Sequence, residues 1–124
     1  MEILFRKYHN DVCDFLVIDP EHTKFDLLPD NIAAVCSRRT GIGADFFISG
    51  PLYDGKNHNF RCFDQNGCEL AADTALSRVC SRFLQDTGHL RGLELDTKGV
   101  HFIGTVVLGR EFINAKGLQD CIPT

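Results

Sequence analysis

Between Glu69 and Gln85 the apolar residues Ala72, Leu76, Val79, Cys80, Phe83 and Leu84 recur at intervals of three and four. That spacing predicts one long helix with a continuous apolar face. Arg78, Ser81, Arg82 and Gln85 fall on its other sides, and Gly88 ends it. A face of this length has to be buried against something, and most of what the chain offers is strands. Alternation at Ile3, Phe5 and Lys7 reads as a half-buried strand, and Phe15-Leu16-Val17-Ile18 as a short apolar one stopped by Pro20. Leu28-Pro29-Asp30-Asn31 reads as a helix start with Asp30 as cap, followed by Ile32 to Cys36 and ended by Gly41 and Gly43. Phe46 to Ser49 is a strand closed by Gly50-Pro51. Asp54-Gly55 is a turn, Phe60 to Phe63 a strand, and Asn66-Gly67 a second turn. Further strands are expected near Leu93 to Asp96 and Val100 to Leu108. The expected fold is α+β, with one long helix packed in a curved, mostly antiparallel sheet.

At 124 residues the chain is expected to form a single domain over 1–124, with a core at about 2–108 and a C-terminal tail over 109–124. Apolar residues at 44% and charged residues at 24% are ordinary for a folded globular domain and argue against disorder. No apolar run reaches the roughly 18 residues of a membrane span. The opening residues Met1 to Lys7 lack the basic-then-apolar order of a signal peptide. A cytoplasmic location is therefore expected. The six cysteines (13, 36, 62, 68, 80 and 121) are widely and irregularly spaced, without a Cys-x-x-Cys, and read as reduced thiols. The five histidines (9, 22, 58, 89 and 101) are equally scattered, so neither a metal site nor a cofactor is expected.

The net charge of −4 argues against direct nucleic-acid binding, which needs a basic footprint. Acidity is concentrated between Asp11 and Asp30, where Asp11, Asp14, Asp19, Glu21, Asp26 and Asp30 face a single Lys24. Two readings fit: a solvated loop region, or an acidic face that meets a basic surface on another protein.

Three segments, in order, resemble the N-terminal domain of diaminopimelate epimerases. Lys7-Tyr8-His9-Asn10-Asp11-Val12-Cys13-Asp14-Phe15 is similar to the family's opening Lys-Met-His-Gly-x-Gly-Asn-Asp-Phe. Arg38-Arg39-Thr40-Gly41-Ile42-Gly43-Ala44-Asp45 is similar to its Arg-His-x-Gly-Ile-Gly-x-Asp. Phe63-Asp64-Gln65-Asn66-Gly67-Cys68-Glu69 is similar to Phe-Asn-Ala-Asp-Gly-Ser-Glu, after which the family places a catalytic Cys-Gly-Asn-Gly at a helix start. The match covers most of residues 3–108.

The resemblance also implies departures. Asp73 stands at the catalytic thiol, and Thr74-Ala75-Leu76 replace Gly-Asn-Gly, whose glycines let backbone approach a ligand. Cys13 stands at a ligand-holding Asn, Asp64 at another, and Phe46 at a Gln or Gly. The family's second cysteine belongs to a second domain that this sequence does not include. The start of a helix favours the charged form of a carboxylate, so Asp73 is read as a cap rather than a base. Thr40-Gly41-Ile42-Gly43 reads as a turn rather than a phosphate loop.

These departures lead to the expectation of a protein that is not an enzyme and acts by binding another protein. The concrete form expected is an anti-CRISPR-type inhibitor of Cas effector subunits, using Asp11, Asp14, Glu21, Asp26 and Asp30, as monomer or homodimer. The alternative is a homodimeric binder of an amino-acid-like molecule, or an altered isomerase, with Cys13 and Cys68 in ligand loops. A truncated enzyme is a third reading, against which Asp73 argues.

Overall fold

The computed structural model describes residues 2–90 and 95–109. The first strand, β1 (Glu2–His9), turns back through Asn10–Cys13 into β2 (Asp14–Ile18), pairing antiparallel with Arg6 opposite Val17. A crossover containing α1 (Pro29–Cys36) then leads to β3 (Phe46–Tyr53), which lies parallel to β2. Parallel neighbours need such a crossover, and α1 supplies it. β4 (His58–Asp64) returns antiparallel to β3, and the two-residue β5 (Glu69–Leu70) adds to its far side. After α2 (Thr74–Asp86), β6 (His101–Gly109) pairs antiparallel with β1. The sheet order is β5-β4-β3-β2-β1-β6. The expected α+β class with a mostly antiparallel sheet and a dominant helix is what forms.

Period-two alternation sorts the sheet residues into two cores. Ile3 and Phe5 of β1, Leu16 and Ile18 of β2, Phe47 of β3 and Phe63 of β4 cluster with Ile32, Val35 and Cys36 of α1. Tyr8, Phe15, Val17, Ile48 and Cys62 cluster with Leu76, Val79, Cys80 and Phe83 of α2. Successive strand residues point to opposite faces, so the central strands are apolar throughout because each face carries a helix.

Several boundaries differ from the sequence reading. The cap of α1 is the backbone of Leu28 with Pro29 in the first turn, and no side chain caps it. Proline suits that position because its missing N–H would have no partner there; Asp30 lies in the first turn instead. β3 does not stop at Gly50-Pro51 but runs on to Tyr53, with a register irregularity between Ser49 and Leu52 and a cis Gly50–Pro51 bond. α2 begins at Thr74 rather than Glu69, because Glu69 and Leu70 pair with Phe63 and Cys62. Ala72, assigned to the apolar face, precedes the helix and is exposed. In the expected strand near Leu93, Leu93 and Glu94 lie outside the described residues, while Leu95 and Asp96 are not in a strand. Of the expected tail, 110–124 lies outside the described residues.

Candidate functional site at the start of α2

Asp73 ends the connection from β5 in extended backbone, and its Oδ1 accepts the Leu76 N–H at 2.8 Å. It is thus the N-cap of α2, as its sequence position implies. Thr74 and Ala75 form the first turn, whose remaining amides point outward along the positive end of the helix dipole. Two open polar hollows meet there. One, of about 410 Å³, is lined by Ala72, Asp73, Thr74, Ser77, Arg78, Ser81 and Asp96. The other, of about 280 Å³, is lined by Asn10, Ala75, Arg78, Lys98, Gly99 and Val100. Arg78 borders both.

The walls are held by specific bonds. Arg78 Nε donates to Asp96 at 2.9 Å, and Arg82, one turn on, donates to the Val100 carbonyl at 2.8 Å. The arginines that the helical pattern leaves off the apolar face therefore fasten segment 96–100 along α2. On the opposite side, Asn10 Oδ1 accepts the amides of Val12 (3.1 Å) and Cys13 (2.8 Å), which shapes the β1–β2 turn. The second sequence motif locks that turn to β3. Arg38 lies 3.0 Å from Asp14 and 3.3 Å from Asp45, and Asp45 accepts the Asp14 amide at 2.8 Å. Gly41 within it lies so close to the Ala34 and Val35 carbonyls that a Cβ would overlap them. Thr40 to Gly43 is thus a packed turn against α1.

The remaining positions singled out from sequence have structural surroundings. Phe46 stacks on Phe15 with centroids 5.4 Å apart, and Cys13 packs against the α2-side core. Burial, followed by the nearby carboxylates of Asp45, Asp14 and Asp73, pushes the Cys13 thiol pKa up, away from the reactive thiolate. Asp64 Oδ1 accepts the amides of Asn66 and Cys68 at 2.9 and 3.0 Å, building the β4–β5 turn that exposes Cys68. Only Asp73, Thr74 and Ala75 of the six positions line the hollows. Asn10, Arg78 and Lys98 complete them, and sequence reasoning missed all three as site residues. Position 78, in the second turn of the capped helix, was the available signal for one of them.

The acidic residues are divided by β2. In sequence, Asp11 lies before it and Asp14 opens it, while Glu21, Asp26 and Asp30 follow it. Asp14 is paired with Arg38 and lies 3.9 Å from Lys7. Asp11, with a left-handed φ of 70°, lies near His9 and His101, while Glu21, Asp26 and Asp30 are exposed. Among the described residues no group of His, Cys, Asp and Glu is arranged to hold a metal, and no helix is long and apolar enough to cross a membrane.

No family model matches the chain. It is similar, however, to curated proteins. Over 85 residues it is 40% identical to diaminopimelate epimerase 2 of a Nostoc species, covering 68% of this chain and 30% of that protein. Over 109 residues it is 33% identical to the diaminopimelate epimerase of a Synechocystis species, covering 86% and 38%. Over 90 residues it is 32% identical to that of Cupriavidus pinatubonensis, covering 71% and 31%. The chain spans about a third of the length of these relatives. The relatives overturn the expectation that the chain is not an enzyme, for they carry the name of an enzyme and point to an isomerase family. That expectation rested on the replaced ligand positions and the missing second domain as well as on the missing thiol, in whose place a carboxylate can also transfer protons. The likeness over most of the chain, together with the α+β fold and its two helices on opposite faces of a six-stranded sheet, supports a diaminopimelate-epimerase-like domain.

Proposed function

We propose that the chain supplies one wall of an altered amino-acid isomerase site, with an amino-acid-like ligand held at the start of α2. The observation that carries this reading is the pair of neighbouring hollows that share Arg78, one lined by Asp73 and Thr74, the other by Ala75, Asn10 and Lys98. First-turn amides suit a carboxylate, and Lys98 adds positive charge beside the Arg78–Asp96 pair. Inverting an α-carbon requires a base that removes the α-proton from one face and an acid that returns a proton to the other. The cap bond uses Asp73 Oδ1, so Oδ2 is the atom this chain offers for one of those transfers. The second group would come from a facing domain or from a second copy of the chain. The test is loss of the α-proton NMR signal of diaminopimelate stereoisomers in D2O, with calorimetry for binding. Exchange that Asp73→Ala and Asp73→Asn both abolish is the expected result; neither exchange nor binding would sink the reading.

A second reading is a protein partner with a basic surface, of which a Cas effector subunit is the concrete case. Its support is the exposure of Asp11, Glu21, Asp26 and Asp30. Capture of such a partner should weaken as salt rises and should fall when Asp11, Asp14 and Glu21 are neutralised together. Equal capture by the triple variant removes the acidic face as the contact.

A further inference from the structure

At the other end of α2 lies a separate cavity. Leu4 and Arg6 of β1, Val17 of β2 and Thr105 of β6 form its floor, and Phe83 of α2 and Thr87 just past its end roof it. Asp19, His22 and Thr23, in the segment after β2, form the side wall. Arg6 and Val17 are register partners, as are Arg6 and Thr105, so the floor is one continuous face of three strands. The helix ends at Asp86, beside this face. The volume is about 150 Å³. That is room enough for a single benzene-sized ring.

The walls decide the chemistry of the occupant. Leu4, Val17 and Phe83 supply apolar contact on three sides. The charges at the rim already have partners. Arg6 Nε donates to the Tyr8 hydroxyl at 3.1 Å and its guanidinium lies 3.7 Å from Asp86. Asp19 accepts the Glu21 amide at 2.9 Å and lies 3.7 Å from His22. A charged ligand would have to displace one of these pairs and lose its own hydration, whereas a neutral one pays neither cost. Thr105 on the floor and Thr23 on the side wall are the hydroxyl-bearing side chains nearest to one polar substituent. Thr87 is committed, donating to the Phe83 carbonyl at 2.6 Å.

We propose that this cavity is a binding site for a neutral, single-ring molecule whose one polar substituent sits beside Thr23 and Thr105. Its location at the opposite end of α2 makes it independent of the isomerase reading. Phenol and benzoate are the probes, read by NMR on the intact chain. Phenol should shift the methyl signals of Leu4 and Val17 and the ring signals of Phe83, saturating at millimolar concentration. Benzoate should bind at least about tenfold more weakly, a difference of about 1.4 kcal/mol. Val17→Phe and Thr105→Phe fill the cavity from two strands, and either variant, when folded by circular dichroism, should abolish the shifts. Thr105 is exposed and tolerates a ring, so it decides the matter should Val17→Phe fail to fold. Shifts that spread elsewhere, persist in a folded filled variant, or favour benzoate would each overturn the proposal, as would no shift at all.

Discussion

Asp73 carries two separable duties. As N-cap it satisfies the Leu76 amide, and as a carboxylate it stands at the polar opening. Asparagine keeps a cap oxygen but not the charge; alanine keeps neither. Asp73→Ala should therefore lower stability by about 1 kcal/mol in urea denaturation, and Asp73→Asn by only a few tenths. If the opening is a proton-transfer site, both should lose α-proton exchange. Equal stability of the two variants would show that the cap bond contributes nothing. Cys36 tests burial in another way. Burial in the α1-side core, followed by the nearby Asp45 carboxylate, pushes its thiol pKa up to about 12 against the opposing charge of Arg38. The folded state therefore favours the neutral thiol. Its contribution to stability is complete below the free thiol value of about 8.5 and is lost as pH rises from there to about 12. Thermal melts should fall over that alkaline range, and Cys36→Ala should flatten the decline.

α2 organises both ends of the chain's polar chemistry because its two sides have different tasks. Leu76, Val79, Cys80, Phe83 and Leu84 are buried, whereas Arg78 and Arg82 hold the segment leading to β6. Arg82 also pairs with Asp86 at 2.9 Å, a helical neighbour four residues on, which pre-orients it for the Val100 carbonyl. A charged hydrogen bond to a carbonyl contributes about 1.5–3 kcal/mol. Arg82→Ala should accordingly speed hydrogen exchange at Val100 and His101 by at least about tenfold, while the α2 amides stay protected. Unchanged exchange at Val100 would mean that β6 pairing alone fixes the segment.

The sheet divides the molecule into two cores that share few side chains. Val35 belongs to the α1 side and Val79 to the α2 side, both fully buried. Each Val→Ala change should cost about 1–3 kcal/mol. Because a layer of backbone separates them, the double variant should equal the sum of the singles within about 0.5 kcal/mol. A larger deviation would mean that the sheet transmits strain between its faces. The same division explains why both hollows at the start of α2 and the ring-sized cavity at its end lie on one face: all three border α2, and α1 covers the other side.

The long amphipathic helix, the apolar strand Phe15 to Ile18 and the turns at Asp54-Gly55 and Asn66-Gly67 were legible in the sequence, because each depends on residues within a few positions of one another. Asp73's position before the helical pattern likewise marked a cap. Local pattern failed where a partner strand competed with it. Glu69 and Leu70 carry helix-compatible side chains yet pair with β4, and β3 passes through Gly50-Pro51 because Leu52 and Tyr53 find partners in Asn59 and His58. The candidate site shows the same limit. Asp73, Thr74 and Ala75 are consecutive and could be singled out together. Asn10, Arg78 and Lys98 come from a hairpin turn, a helix and a loop, and become neighbours only when β1 pairs with β6 and the two arginines fasten that loop to α2. Sequence determined which segments could be helix or strand; the long-range pairing of backbone and the burial of both sheet faces decided which side chains share a cavity.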